Sequence, residues 1–297
     1  MSSSDGSTTT TDVSADGIAG QYRLAGDAPT RDLFNRRTLE RDAAHLAPRL
    51  RAGMRVLDLG CGAGSLSLGI AAAVSPGEVL GIDLQASVIE RARAAAEEAG
   101  LRNVHFEVGN IDGLELPEAS FDLVHFSGTL GYLKDPLAAL KLAFGALRPG
   151  GLIAAREPQK GGDWFGGPCA EAITLFFHVA MLNWRADGGD PGLGVRLGAL
   201  LRQAGFEQIE QHPIYSAAMS DVQATARAVL GALDRADFRE RAVGRGWITP
   251  ATWDRLAEQI ATWAADATSV CALAECSAIG AKPDIPDSTV KFVTARL

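Results

Sequence analysis

Between residues 54 and 156, short runs rich in leucine and β-branched residues, at 54–59, 78–84, 104–108, 121–126 and 151–156, alternate with stretches of helical period. Strands separated by helices of that length cannot pair as hairpins, so they predict a mostly parallel sheet covered by helices on both faces. A ligand crevice is then expected at the carboxyl ends of the strands, with functional residues in the loops that follow them. Residues 65–74 place Leu66, Gly69, Ile70, Ala73 and Val74 on one helical face, and residues 86–99 carry Val88, Ile89, Ala92, Ala96 and Ala99 before Gly100. Residues 136–147 present Leu137, Leu140, Phe144 and Leu147, with Asp135 as N-cap, Pro136 at the first helical position and "RPGG" as the stop.

Outside that core, covering residues 53–158, the pattern changes. Residues 1–17 are polar and acidic without an apolar centre, and read as a disordered leader rather than a signal peptide or anchor. In an N-terminal segment at 18–52, Leu33, Phe34, Leu39, Ala43, Leu46 and Leu50 fall near helical spacing and predict one helix leading into the core. Residues 159–192 bring glycines, Trp164, Trp184 and an apolar helix, and read as a lid over the crevice. Residues 193–283 resume as a helix and a strand, then a helical insertion at about 219–267, also read as cover, and a last strand expected antiparallel at the sheet edge; 284–297 form a tail. In the insertion Thr249 and Pro250 start a helix whose Trp253, Leu256, Ile260 and Trp263 recur at spacings of three and four, a stripe that reads as buried core.

The 297 residues hold 28 Lys+Arg against 36 Asp+Glu, a net charge of -8, which gives no electrostatic reason to expect nucleic acid or an acidic membrane as partner. No apolar run approaches the roughly 18 residues of a membrane helix. A small-molecule partner is expected, with a homodimer left open. Cys61, Cys169, Cys271 and Cys276 show no CxxC spacing, so a reduced, cytoplasmic chain without structural disulfides or a metal site is the simplest reading.

The stretch "MRVLDLGCGAGSL" at 54–66 narrows the ligand. A dinucleotide fingerprint G-x-G-x-x-G would need glycine where Ser65 stands, and no G-K-[ST] follows for a phosphate-binding P-loop. Asp58, two residues before the first loop glycine, would face like charge in a phosphate cradle, at a cost on the order of a few kcal/mol. It favours a cationic ligand without phosphate, such as S-adenosylmethionine with its α-ammonium. Gly60, Gly62 and Gly64 let the backbone approach closely and take positive φ. Asp83, ending the next strand, can accept both ribose hydroxyls. Asn110, Ile111 and Asp112, ending the third strand, could meet the adenine edge, and Ser127 leaves the fourth strand toward the methionine end.

Residues about 20–160 resemble the class I S-adenosylmethionine-dependent methyltransferases, of the group of ubiquinone/menaquinone-biosynthesis C-methyltransferases. The resemblance is carried by "VLDLGCGAG", "GIDL", "GNIDGLELPEASFD", the region from Ser127 to Asp135, and "ALRPGG". It implies a Rossmann-like, seven-stranded, mostly parallel sheet with a helical lid, S-adenosyl-L-methionine as cofactor and S-adenosyl-L-homocysteine as product. Cofactor contacts then fall on Asp58, Gly60, Gly62, Asp83, Leu84, Asn110, Ile111, Asp112 and Ser127, with Arg37 meeting the cofactor carboxylate. The third-strand position often held by aspartate is Asn110 here, which keeps an acceptor for the adenine amino group without the charge.

Methyl transfer to carbon or oxygen of a small, largely apolar acceptor, such as a quinone, polyketide or other secondary metabolite, is the implied reaction. It needs the acceptor atom held in line with the carbon–sulfur bond and a base only where the acceptor must lose a proton. His178, on the lid helix beside Phe176 and Phe177, and Tyr132, just past the fourth strand, are the candidates for that base or for lining the site. His125, inside the fourth strand, reads as a satisfied structural histidine, and His45, His105 and His212 as surface residues. Two other readings keep the fold: a cofactor-binding cyclase or rearrangement enzyme that transfers no methyl, and a catalytically silent binding subunit.

Overall fold

A computed structural model describes residues 35–216 and 220–284. The expected leader, Leu33 and Phe34 of the N-terminal segment, and the tail beyond residue 284 lie outside the described residues. The chain runs α1 (Leu39–Asp42), β1 (Arg55–Leu59), α2 (Ser65–Val74), β2 (Glu78–Asp83), α3 (Ala86–Glu98), β3 (Val104–Val108), β4 (Phe121–Ser127), α4 (Pro136–Ala146) and β5 (Leu147–Pro158). It continues through β6 (Trp164–Gly166), α5 (Ala170–Ala186), α6 (Leu197–Gln203), β7 (Glu207–Tyr215), α7 (Val222–Leu233), α8 (Ala236–Gly244), α9 (Pro250–Ala265), β8 (Val270–Ala272) and β9 (Ala274–Ala281).

Seven strands form one sheet in the order β3-β2-β1-β4-β5-β9-β7, parallel from β3 to β5 and with β9 antiparallel to both its neighbours. The two-residue period of a strand divides the core between its faces. Leu57, Leu59, Val124 and Phe126 pack with α4 and α6 on one side, while Val56, Leu123 and Ala154 meet α2, α3 and the N-terminal segment on the other. Asp135 caps α4 as expected, accepting from the Ala138 amide at 2.9 Å.

Three expectations need correction. The last strand is not at the edge: β9 lies between β5 and β7, and β7 is the edge strand. Every residue from Ala274 to Gly280 is buried, Glu275 and Ser277 included, whereas β7 buries none, and a strand covered along its whole length sits between partners rather than at an edge. "RPGG" is not a plain helix stop but part of β5, where the register against β4 shifts between Phe121 and Leu123 and Gly150 takes φ +74° as an irregular strand residue. The N-terminal helix is broken into α1 and a 3-10 turn at Ala47–Arg49. Pro48 cannot continue an α-helix because its ring would meet the carbonyl one turn back. Leu39, Ala43, Leu46 and Leu50 still reach the core.

The two insertions pack on one another. β6 pairs with β8, and α5 joins α7, α8 and α9 in a separate apolar cluster containing Phe176, Val229, Phe238, Trp253, Leu256, Ile260 and Trp263. The tryptophan stripe is thus core, and the Trp263 indole donates to the Gly166 carbonyl at 2.9 Å.

Candidate functional site

A cavity of about 240 Å³ opens over the carboxyl ends of β1, β2 and β4, bordered by Asp58, Gly60, Gly62, Asp83, His125 and Ser127 among others. Strand periodicity builds its floor. Asp58 and His125 stand opposite each other on β1 and β4, and Ser127 opposite Arg156 on β5, all on the face covered by the N-terminal segment and α2. His125 Nδ1 lies 2.8 Å from Asp58 Oδ1, and Ser67 Oγ donates to Asp58 Oδ2 at 2.5 Å. Arg156, fully enclosed, pairs with Glu275, lies 3.9 Å from Asp42 and donates to Ser216 Oγ at 3.0 Å. Arg37 donates to Ser127 Oγ at 3.3 Å; burial, and secondly the nearby charge of Arg156, lower its pKa to about 10.

The glycine loop between β1 and α2 has φ of 76°, 56° and 81° at Gly60, Gly62 and Gly64, values that disfavour any side chain. A Cβ on Gly60 would stand 2.2 Å from Thr129 Oγ1, so that glycine is required by packing. A Cβ on Gly62 would meet nothing within 4 Å, so its bare backbone faces the open cavity. Asp83 steadies the loop, accepting from the Gly62 amide through Oδ2 and from the Gln85 amide through Oδ1, each at 3.0 Å. Burial raises its pKa while those two amides oppose the shift.

At the other end of the cavity Tyr132 stacks on Trp184 with ring centroids 4.2 Å apart. Burial and the charge of Glu157 push its phenol up. Glu157, at the end of β5 and wholly buried, accepts from the Thr129 and Leu130 amides at 2.8 Å and from Gly131 at 3.2 Å, which holds the segment leading to Tyr132. Burial, outweighing those amides, raises its pKa to about 7. Lys160 borders the cavity too, 3.2 Å from Asp163 and over the Phe177 ring.

Of the residues proposed from sequence, Arg37, Asp58, Gly60, Gly62, Asp83, Ser127 and Tyr132 come together around this cavity. Leu84, Asn110, Ile111 and Asp112 do not border it. Asn110 Oδ1 instead accepts from the Asp112 amide at 3.1 Å in a local turn, and Ile111 packs against the core. His178 is exposed: α5 buries Ile173, Phe176, Val179 and Asn183, which turns position 178 to the opposite face. None of the described residues of the second insertion borders the cavity, so it supports the first rather than roofing the site.

His45 is half-buried rather than on the surface. Burial, and secondly His125, lower its pKa to about 3. His125 is satisfied at Nδ1 only. Arg156, Glu157 and Glu275 were missed in the sequence, although each is a charge set inside an otherwise apolar strand run, a pattern that signals a buried pair. Among the described residues no group of three His, Cys, Asp or Glu is placed to hold a metal, and no helix is long and apolar enough to cross a membrane.

Residues 50–175 match the family described as "Methyltransferase domain". The "Probable methyltransferase ltbC" of Aspergillus luteorubrus is 36% identical over 154 residues, covering 49% of this chain and 54% of its own. The aklanonic acid methyltransferase DauC of Streptomyces sp. (strain C5) is 42% identical over 107 residues, covering 36% and 49%. The chain thus spans about half the length of these curated relatives. The crystal structure of the [4+2]-cyclase SpnF is similar with a TM-score of 0.55 at 20% identity, covering 90% of this chain and 96% of that one, a likeness of fold.

Proposed function

From the class I S-adenosylmethionine-dependent methyltransferase domain that this chain carries, we propose that it transfers a methyl group to carbon or oxygen of a small, largely apolar acceptor. The observation that carries this reading is a pair of buried carboxylates, Asp58 and Asp83, on either side of a glycine loop whose backbone at Gly62 faces open space. That donor set fits a positively charged nucleoside without phosphate. Each oxygen of Asp83 accepts one backbone amide and keeps lone-pair capacity for a ribose hydroxyl. Arg37 beside Ser127 suits the cofactor carboxylate. When bound, the cofactor supplies an electrophilic methyl on a sulfonium.

The chain's own residues would then orient the acceptor and exclude water. The stacked Tyr132–Trp184 pair offers a flat apolar wall, fixed from behind by Glu157 through the 129–131 amides. The relative named as an aklanonic acid methyltransferase and the stacked Tyr132–Trp184 pair both support a small, largely apolar metabolite as acceptor. The cyclase of shared fold supports a second reading, in which cofactor is bound and no methyl moves.

Calorimetry with S-adenosylmethionine and S-adenosylhomocysteine, followed by transfer of labelled methyl into a metabolite extract, tests the proposal. Binding with a product heavier by one CH₂ is expected. Binding with an isomerised product favours the cyclase reading, and no binding at all ends both.

A further inference from the structure

We infer that Glu275 is the general base of the reaction: its carboxylate meets the acceptor and takes the proton that a hydroxyl, enol or acidic carbon must lose to become the nucleophile. This rests on the methyltransferase reading and deepens it, by limiting the acceptor to one that carries such a proton. The sheet order places the residue. Asp83 ends β2, Asp58 lies one residue before the end of β1, Ser127 ends β4 and Pro158 ends β5, so the cavity passes from the nucleoside end at β2 toward β5. Because β9 runs antiparallel, its first residues lie beside the carboxyl end of β5, where Glu275 pairs with Pro158. The register carries one face across the sheet, from Asp58 to His125, from Ser127 to Arg156 and from Pro158 to Glu275, so Glu275 stands on the face that the cavity occupies.

Glu275 is ion-paired with Arg156, yet the two partners differ in what they touch: Arg156 does not border the cavity and Glu275 does. The pair uses Oε2, and Oε1 makes no hydrogen bond among the described residues, which leaves its lone pairs to a donor in the cavity. Arg156, Arg37, Asp42 and Glu157 are the charges around it. The other groups near the acceptor wall do not suit the task. Burial pushes the Tyr132 phenol up, so it keeps its proton and serves as wall, and Glu157 spends its oxygens on the 129–131 amides without bordering the cavity. In the step itself Glu275 takes the acceptor proton while the electron pair freed on that carbon or oxygen forms the bond to the methyl carbon; the methyl–sulfur pair stays on sulfur, and the proton passes to water when the product leaves.

The test uses labelled S-adenosylmethionine with a metabolite extract as the acceptor pool, and calorimetry with S-adenosylhomocysteine. Glu275→Gln keeps the size of the side chain and an oxygen for Arg156 but cannot take a proton. Its methyl transfer near neutral pH should fall by about 100-fold or more, while S-adenosylhomocysteine binds within a few-fold of wild type. The deficit should shrink as pH rises from about 7 to 9, because acceptor already ionised in solution no longer needs the base, and wild-type transfer should vary far less over that range. Transfer like wild type overturns the assignment, and so does a deficit of the same size at every pH or one matched by lost S-adenosylhomocysteine affinity, since either marks a structural loss. Should Glu275→Gln fail to fold, Glu275→Asp decides: it keeps the charge beside Arg156 but withdraws the carboxylate by one methylene, so transfer should fall by about tenfold or more with S-adenosylhomocysteine bound as before. Undiminished transfer in that variant overturns the assignment. If wild-type protein transfers methyl and the variants match it, only this inference falls; if wild-type protein transfers none, the methyltransferase reading falls and takes the inference with it.

Discussion

The rim of strand ends and the helical cap hold their shape by opposite means. Around the glycine loop, order comes from polar contacts between residues close in space and fixed in register: Asp58 with His125 and Ser67, and Asp83 with the amides of Gly62 and Gln85. The cap over β6 and β8 is an apolar cluster in which Trp253, Leu256, Ile260 and Trp263 are buried against α5 and α7. It contributes Trp184 to the cavity and little else. A polar rim tolerates no shift of its backbone, because each donor has one acceptor. A cluster of packed side chains tolerates changes of composition that keep its volume and apolar character.

That contrast is broken first at Trp263. Replacing it with alanine is expected to destabilise the protein by about 3–5 kcal/mol, since the side chain is fully enclosed and its indole is hydrogen-bonded to Gly166. Chemical denaturation measures this, and S-adenosylhomocysteine affinity of the folded fraction should change far less. An equal collapse of affinity would show that cap and rim are one unit. Asp83→Asn should do the reverse, costing about 1.5–3 kcal/mol of cofactor affinity through lost charge-assisted hydrogen bonds. Unchanged affinity would remove Asp83 from the site.

A smaller effect separates the two glycines. Gly62→Ala adds a methyl in open space, so stability should fall by only about 1–2 kcal/mol from its positive φ, with weaker cofactor binding. Gly60→Ala adds a clash with Thr129 and should be the less stable of the two in thermal melts. The smallest effect is one of pH. Glu157 is held at about 7 against an ordinary 4.5, so the folded state keeps a proton that the unfolded chain has lost. Its contribution to stability is complete at lower pH and declines as pH rises from about 4.5 through 7. Denaturation profiles of wild-type protein and Glu157→Gln should differ in slope across that window; parallel profiles would place the titration elsewhere.

The alternation of strands and helices, the capped start of α4, the positive-φ glycines and the acids at the tips of β1 and β2 were determined by the sequence alone. Each is a local matter, decided by side-chain period, by capping chemistry or by the absence of a Cβ within a few residues. Tertiary structure decided the rest. It alone set β9 inside the sheet, turned His178 outward, left Asn110, Ile111 and Asp112 away from the cavity, and faced His125 toward Asp58 across two strands. Those outcomes depend on which strands become neighbours and which helix face finds cover. The strand order and the Asp58–His125 contact join residues far apart in the chain, 67 positions for that pair, and no local pattern encodes such a pairing.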